Sequence, residues 1–141
     1  MLQEERTRNA MDHASAERAE RMVRLYVEGW KEGNRAKILG NLDPACVIIE
    51  YDGLTYRGIE KIGRWIDTWL GEGNEVNRWD ITSLYVTGEV CFFEWVFECT
   101  FAGTRAGFEG ASVVRFHSGK IVSLREYGMM DAPHEWEPEH T

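Results

Sequence analysis

An α+β fold, with helices packed on one side of a strongly bent sheet, is what this sequence predicts, and three observations carry it. Apolar residues recur at helical spacing through the first part of the chain. Four long stretches rich in alternating apolar residues fill the second half, and short glycine-containing turns separate them. Helices followed by a run of strands is the pattern of α+β domains, and 141 residues suit a single core with little room for another.

The elements follow in order. Residues 1–14 carry mixed charge without a clear apolar period and are expected to form a mobile arm or a helical extension. Ser15 has the chemistry of a helix N-cap. From there Ala19, Met22, Val23, Tyr26, Val27 and Trp30 place one apolar stripe on a helix that Gly33-Asn34 ends. A short second helix carries Ile38, Leu39 and Leu42 until Asp43-Pro44 breaks it, because proline lacks an amide hydrogen and restricts the residue before it. Cys46 to Tyr51 reads as a strand, Asp52-Gly53 as a turn, and Ile59 to Leu70 as a third helix. Strands are then expected near 75–87, 90–102, 107–117 and 120–127, forming an antiparallel meander. Residues 15–131 are read as the domain and 132–141 as an acidic tail.

In the stretch VCFFEWVFECTF, period-2 geometry puts Cys91, Phe93, Trp95, Phe97, Cys99 and Phe101 on one face. The other face carries Phe92 and Val96 between Glu94 and Glu98. Such a strand needs cover on both sides, and the helices supply only one. A homodimer joined through the outer face of the sheet is the expectation.

A net charge of -8 disfavours nucleic acid and anionic membrane surfaces as partners, leaving a small neutral, apolar ligand or a protein. Cys46, Cys91 and Cys99 are too few and too scattered for a disulfide framework or a zinc cage, and the histidines form no metal pattern. No metal and no cofactor are expected. With no apolar run near the roughly 20 residues of a membrane span, a soluble cytoplasmic chain is the expectation.

Several signals occur together in one order: RLYVEGWKEGN, Asp43-Pro44 before a strand, Tyr56-x-Gly58-x-x-x-Ile62 opening the third helix, and Gly119-Lys120-Ile121 before Arg125-Glu126-Tyr127. In these the chain resembles the SnoaL-like branch of the nuclear-transport-factor-2-like superfamily. The resemblance implies a cone-shaped fold, three N-terminal helices on a strongly curved, mixed, mostly antiparallel sheet. It also implies a pocket between the first helix and the inner sheet face. Superfamily members include isomerases, dehydratases, epoxide hydrolases, polyketide cyclases and non-catalytic binding modules, so fold does not settle function.

Carried over residue by residue, the resemblance places Tyr26 at the oxyanion-donor position of steroid-isomerase-like members. Ile49 and Ser112 then stand where those members have carboxylates. Trp95 and Phe97 replace the Arg and Asp of epoxide-hydrolase-like members, and Glu126 alone retains a carboxylate, matching the pocket base of SnoaL-like cyclases. Burial among Trp95, Phe97 and Leu124 would raise the pKa of Glu126 and suit it to proton transfer near neutrality. Strand parity leaves open whether Glu126 or Arg125 points inward. Tyr26 is read either as a core tyrosine or as a functional hydroxyl. Trp30, Ile49, Tyr51, Trp95, Phe97 and Ser112 are expected to shape the substrate pocket, and Glu50 and Asp52 to face solvent. The tail from Met129 to Trp136 is read as a lid over the pocket or as a strap on a dimer partner. Two functions follow: acid-base catalysis (dehydration, isomerisation, aldol cyclisation or ring-opening hydrolysis) on a small apolar substrate, or a non-catalytic module binding a small molecule or its own copy.

Overall fold

The computed structural model describes residues 2–140, with side chains at all of these except 9–12 and 140. The order is α1 (Leu2–Glu32), α2 (Arg35–Leu39), β1 (Leu42–Ile49), β2 (Thr55–Arg57), α3 (Ile59–Gly71), β3 (Glu75–Thr87), β4 (Val90–Phe101), β5 (Thr104–His117) and β6 (Lys120–Met129), with a last 3-10 turn at Pro138–His140. The strands form one sheet in the order β2-β1-β6-β5-β4-β3. β1 runs parallel to β6, and every other neighbouring pair is antiparallel. The sheet is curled rather than closed, and the helices pack against it as the α+β reading requires.

Three local expectations need correction. α1 starts at Leu2, so Ser15 lies inside the helix and is no cap; its hydroxyl accepts a hydrogen bond from Arg18 at 3.3 Å. No glycine or proline interrupts residues 2–28, and exposed pairs such as His13 with Glu17 at 3.0 Å and Arg24 with Glu20 at 3.5 Å add modest support at one-turn spacing. Asp43-Pro44 does not separate helix from strand but lies within β1, where the pairing with β6 shifts register between Leu42 and Val47. The three-residue strand β2 was not foreseen, being too short to show a period.

The core lies between α1, α2, α3 and the concave face of the sheet. Val23, Ile38, Ile48, Ile62, Ile66 and Phe93 are each no more than 1% exposed. On β4, Cys91, Phe93 and Trp95 are buried while Phe92 and Glu94 are exposed, as alternation requires. Gly110 on β5 is required by packing. A Cβ there would stand 2.6 Å from Cη2 of Trp95 and would collide with the Tyr127 carbonyl. The missing side chain lets the Trp95 indole lie across the sheet.

Parity on β1 and β6 decides what faces the core. Ile48 pairs with Leu124, both buried, whereas Ile49 pairs with Arg125 on the opposite face. Glu126, one residue beyond Arg125, therefore turns inward. Arg125 turns outward and lies over the Tyr127 ring at 5.1 Å.

Candidate functional site

A cavity of about 60 Å³ opens between α1, α3 and the inner sheet face, lined by Tyr26, Trp30, Trp65, Trp69, Val76, Trp79, Phe97 and Glu126. Each arrives by simple periodicity. Tyr26 and Trp30 are four apart on α1, and Trp65 and Trp69 four apart on α3, so each pair shares a helix face. Trp79 and Phe97 are register partners on β3 and β4. Glu126 pairs with Ser112 on the neighbouring strand.

Glu126 is the carboxylic acid in this aromatic lining. Its carboxyl has neither a hydrogen-bond nor an ion-pair partner among the described residues. Protein surrounds it, yet it retains some surface because it faces the cavity. Loss of solvent raises its pKa, and the negative charges of Glu50 and Asp52 add to this, pushing it up to about 8. At neutral pH the carboxyl is therefore mostly protonated while remaining able to ionise. Tyr26, 3% exposed, is held well above the ordinary tyrosine range by burial and by Glu126, with a polar contact to the Trp30 side chain acting the other way. It stays a neutral hydroxyl and so a hydrogen-bond donor.

The expected pocket residues divide. Tyr26, Trp30, Phe97 and Glu126 line the cavity. Trp95 and Ser112 are buried beside it: the Trp95 indole N–H donates to Ser112 Oγ at 2.9 Å, so Ser112 positions a wall residue. Ile49 and Tyr51, expected inside, lie elsewhere. Ile49 lines a groove on the outer face with Val47, Val113 and Arg115. Tyr51 is 41% exposed and packs on Phe108 at 4.6 Å. The physical reason is the parity of β1, where Cys46 and Ile48 point inward, so that the next inward position is Glu50. Glu50, expected to face solvent, is half-buried; its carboxylate accepts from the Tyr56 hydroxyl at 2.7 Å, and burial raises its pKa. Tyr56 in turn stacks on Trp65 at 4.1 Å. The tail does not reach the cavity: residues 129–139 are exposed, Trp136 at 73%.

Trp65, Trp69, Val76 and Trp79 are cavity residues that sequence reasoning missed. The two helical tryptophans left a usable signal, since their spacing puts them on one face beside Ile62 and Ile66. Trp79 had none, because its inward direction depends on β3 register. Among the described residues its indole N–H is the one buried side-chain polar atom without a hydrogen-bond partner. Its neighbours are the rings of Tyr26, Trp95 and Phe97, with centroids at 5.5 to 6.2 Å, which are weak acceptors at best. This contrast gives a test. Trp95→Phe strands the buried Ser112 hydroxyl at a cost of about 1–3 kcal/mol beyond lost packing, whereas Trp79→Phe removes a donor that was never satisfied. Urea denaturation should therefore show Trp95→Phe to be the more destabilising, and equal midpoints would contradict the hydrogen-bond assignment.

With this fold and site described, the comparisons agree on one class. A model of the SnoaL-like domain matches residues 23–124, most of the chain, and the protein belongs to that family. Among solved structures it is similar to an LEH-like epoxide hydrolase of M. tuberculosis, with 16% identity over 81% of this chain and 84% of that one and a TM-score of 0.73. It is also similar to a polyketide cyclase candidate from Xanthomonas campestris pv. campestris, with 15% identity over 80% and 91% of the two chains and a TM-score of 0.67. A third similar structure is a Catenulispora acidiphila protein of ketosteroid isomerase-like fold in complex with trimethylamine, with 22% identity over 75% and 83% and a TM-score of 0.64. At these identities the likeness is one of fold. A search of curated proteins gives no match.

Proposed function

We propose that the protein is a small-molecule enzyme in which Glu126 transfers a proton and the Tyr26 hydroxyl stabilises negative charge developing on a substrate oxygen. The observation that carries this reading is the unpartnered Glu126 carboxyl at an apolar cavity, poised to titrate near neutrality. A structural carboxylate would have a partner, and a general acid or base must be free to exchange its proton with substrate. Tyr26 lines the same cavity and remains a donor. Preorganised donors act most strongly where water is excluded. Dehydration, isomerisation, aldol cyclisation and hydrolytic ring opening all fit this pair.

Size narrows the substrate. A water molecule needs about 10–15 Å³ by the same measure, so 60 Å³ accommodates a group of only a few heavy atoms. That favours short epoxides, ketones and hydroxy-ketones over fused polycycles. The trimethylamine bound by one structural neighbour supports a ligand of that scale.

Turnover assays on short-chain epoxides, enones and β-hydroxy-ketones test the reading. Glu126→Gln should lower kcat/KM by about 10²-fold or more, and Tyr26→Phe by less. Undiminished turnover in Glu126→Gln would remove the carboxyl from the chemistry.

The outer face of the sheet is proposed as the dimer surface. Tyr85 pairs with Phe92 and Phe92 with Val113, a row of apolar side chains across three strands, with Tyr127 and Met129 exposed on the next strand. Light scattering at micromolar concentration checks this, with a monomer as the contrary result.

A further inference from the structure

We propose that the cavity is an aromatic cage for a small methylated ammonium ion, with Glu126 as its counter-ion and Trp30, Trp69, Trp79 and Phe97 among its walls. This rests on the preceding reading only in taking the cavity as a ligand site; it does not need Glu126 to catalyse. Four indoles, a phenol and a phenyl ring line one small space. Several meet nearly at right angles: Trp30 with Trp69 at 89°, Trp79 with Phe97 at 84°, and Tyr26 with Trp79 at 73°. Perpendicular rings are how the sides of a box meet. The negative faces of aromatic rings, tryptophan above all, attract cations, and they do so most when water is excluded.

Charge points the same way. The carboxyl of Glu126 has no cationic partner, and the charges acting on it belong to Glu50 and Asp52, both negative. Arg125, adjacent in sequence, is on the opposite face of the sheet. Once Glu126 ionises, its charge and the ring faces around it favour a cation in the cavity over an anion. The cavity's 60 Å³ is a few heavy atoms' worth of space, the scale of tri- or tetramethylammonium.

The protons balance in two ways. A quaternary ion pairs with Glu126 only once the carboxyl has released its proton to solvent. A tertiary amine, protonated in neutral solution, releases one proton by either route: it enters as the ammonium ion while Glu126 gives its proton to solvent, or it leaves its own proton in solvent and takes the Glu126 proton onto its nitrogen. Tyr26 from α1 shares the cavity with Glu126, and the other titratable groups whose charge couples to Glu126 are Glu50, Tyr51 and Asp52 from the segment after β1 and Tyr56 from β2. All three tyrosines are shifted upward and stay protonated. Affinity for a quaternary ion should therefore tighten about tenfold per pH unit below the Glu126 pKa and level off above it.

Isothermal titration of the full chain with tetramethylammonium chloride, using tert-butanol as a neutral probe of similar size, tests this. In the wild type, tetramethylammonium should bind more tightly than tert-butanol and release close to one proton at neutral pH. Glu126→Gln should weaken the cation at least tenfold and change tert-butanol affinity by much less. Trp69→Leu, at a half-buried position, should weaken the cation more than the alcohol. Equal affinity for both probes, cation binding indifferent to Glu126→Gln, or no cation binding in the millimolar range would each overturn the proposal. Cation binding without turnover of epoxides or ketones would leave the cage standing and sink the acid-base enzyme. Turnover of those compounds without cation binding would do the reverse.

Discussion

At about pH 9 the Glu126→Gln variant should be more stable than the wild type, by on the order of 3 kcal/mol, and the two should converge below about pH 4. The direction follows from the upward shift of the Glu126 carboxyl to about 8 in the folded protein. An unfolded chain releases this proton near the ordinary glutamate value, so between the two values the folded state holds a proton that the unfolded state has lost. Stability linked to Glu126 is thus fully present at low pH and is lost as pH rises through the folded value. Gln keeps a neutral side chain of the same shape and escapes that loss. The magnitude is discounted from the full shift because Glu126 retains some surface in the cavity. Glu50 is shifted in the same direction, but it is present in both proteins and largely cancels. Urea denaturation at several pH values gives the comparison directly. A wild type that gains on the variant as pH rises would mean that the ionised carboxylate finds a stabilising partner.

Trp30→Ala should cost about 3–5 kcal/mol, the range for deleting a large buried aromatic. Trp30 is 5% exposed and meets Trp65 at 5.0 Å and Trp69 at 5.4 Å, so its indole joins α1 to α3 and forms part of the cavity wall. Domains of this size have about 5–15 kcal/mol of stability in total, so the variant should approach the limit of folding and lose ligand binding as its wall collapses. Trp136→Ala is the natural control. Trp136 is 73% exposed in the tail, and its removal should shift stability by no more than about 0.5 kcal/mol. Equal effects in the two variants would place Trp136 against the body of the protein or a second copy.

How far the site could be read without coordinates varied residue by residue. Tyr26 and Trp30 were legible because a helical stripe needs only local spacing, and Phe97 because it continues the one-face series of Cys91, Phe93 and Trp95 on β4. Glu126 was identified as the carboxyl of interest, yet its direction was ambiguous against Arg125. Ile49 was placed inside by a one-residue misreading of β1, the error that period-2 geometry penalises most, since it turns a side chain to the other face; Tyr51 lies beyond β1 in the turn, packed on Phe108 at the edge of the inner aromatic cluster. The same misreading hid Glu50, which proved to be one of the charges that set the behaviour of Glu126.

By itself the sequence determined the order of the helices and of all strands but the short β2, the α+β class and the family, because apolar periodicity and turn chemistry are local properties that burial enforces whatever the partner element. Only the tertiary structure decided which residues share the cavity. Trp65, Trp69 and Trp79 come to Glu126 through helix-on-sheet packing and strand register, and the upward shift of Glu126 arises from solvent removed by residues distant in the chain. Electrostatics at a buried group depends on what surrounds it in space, and that is settled only when the sheet curls around α1 and α3.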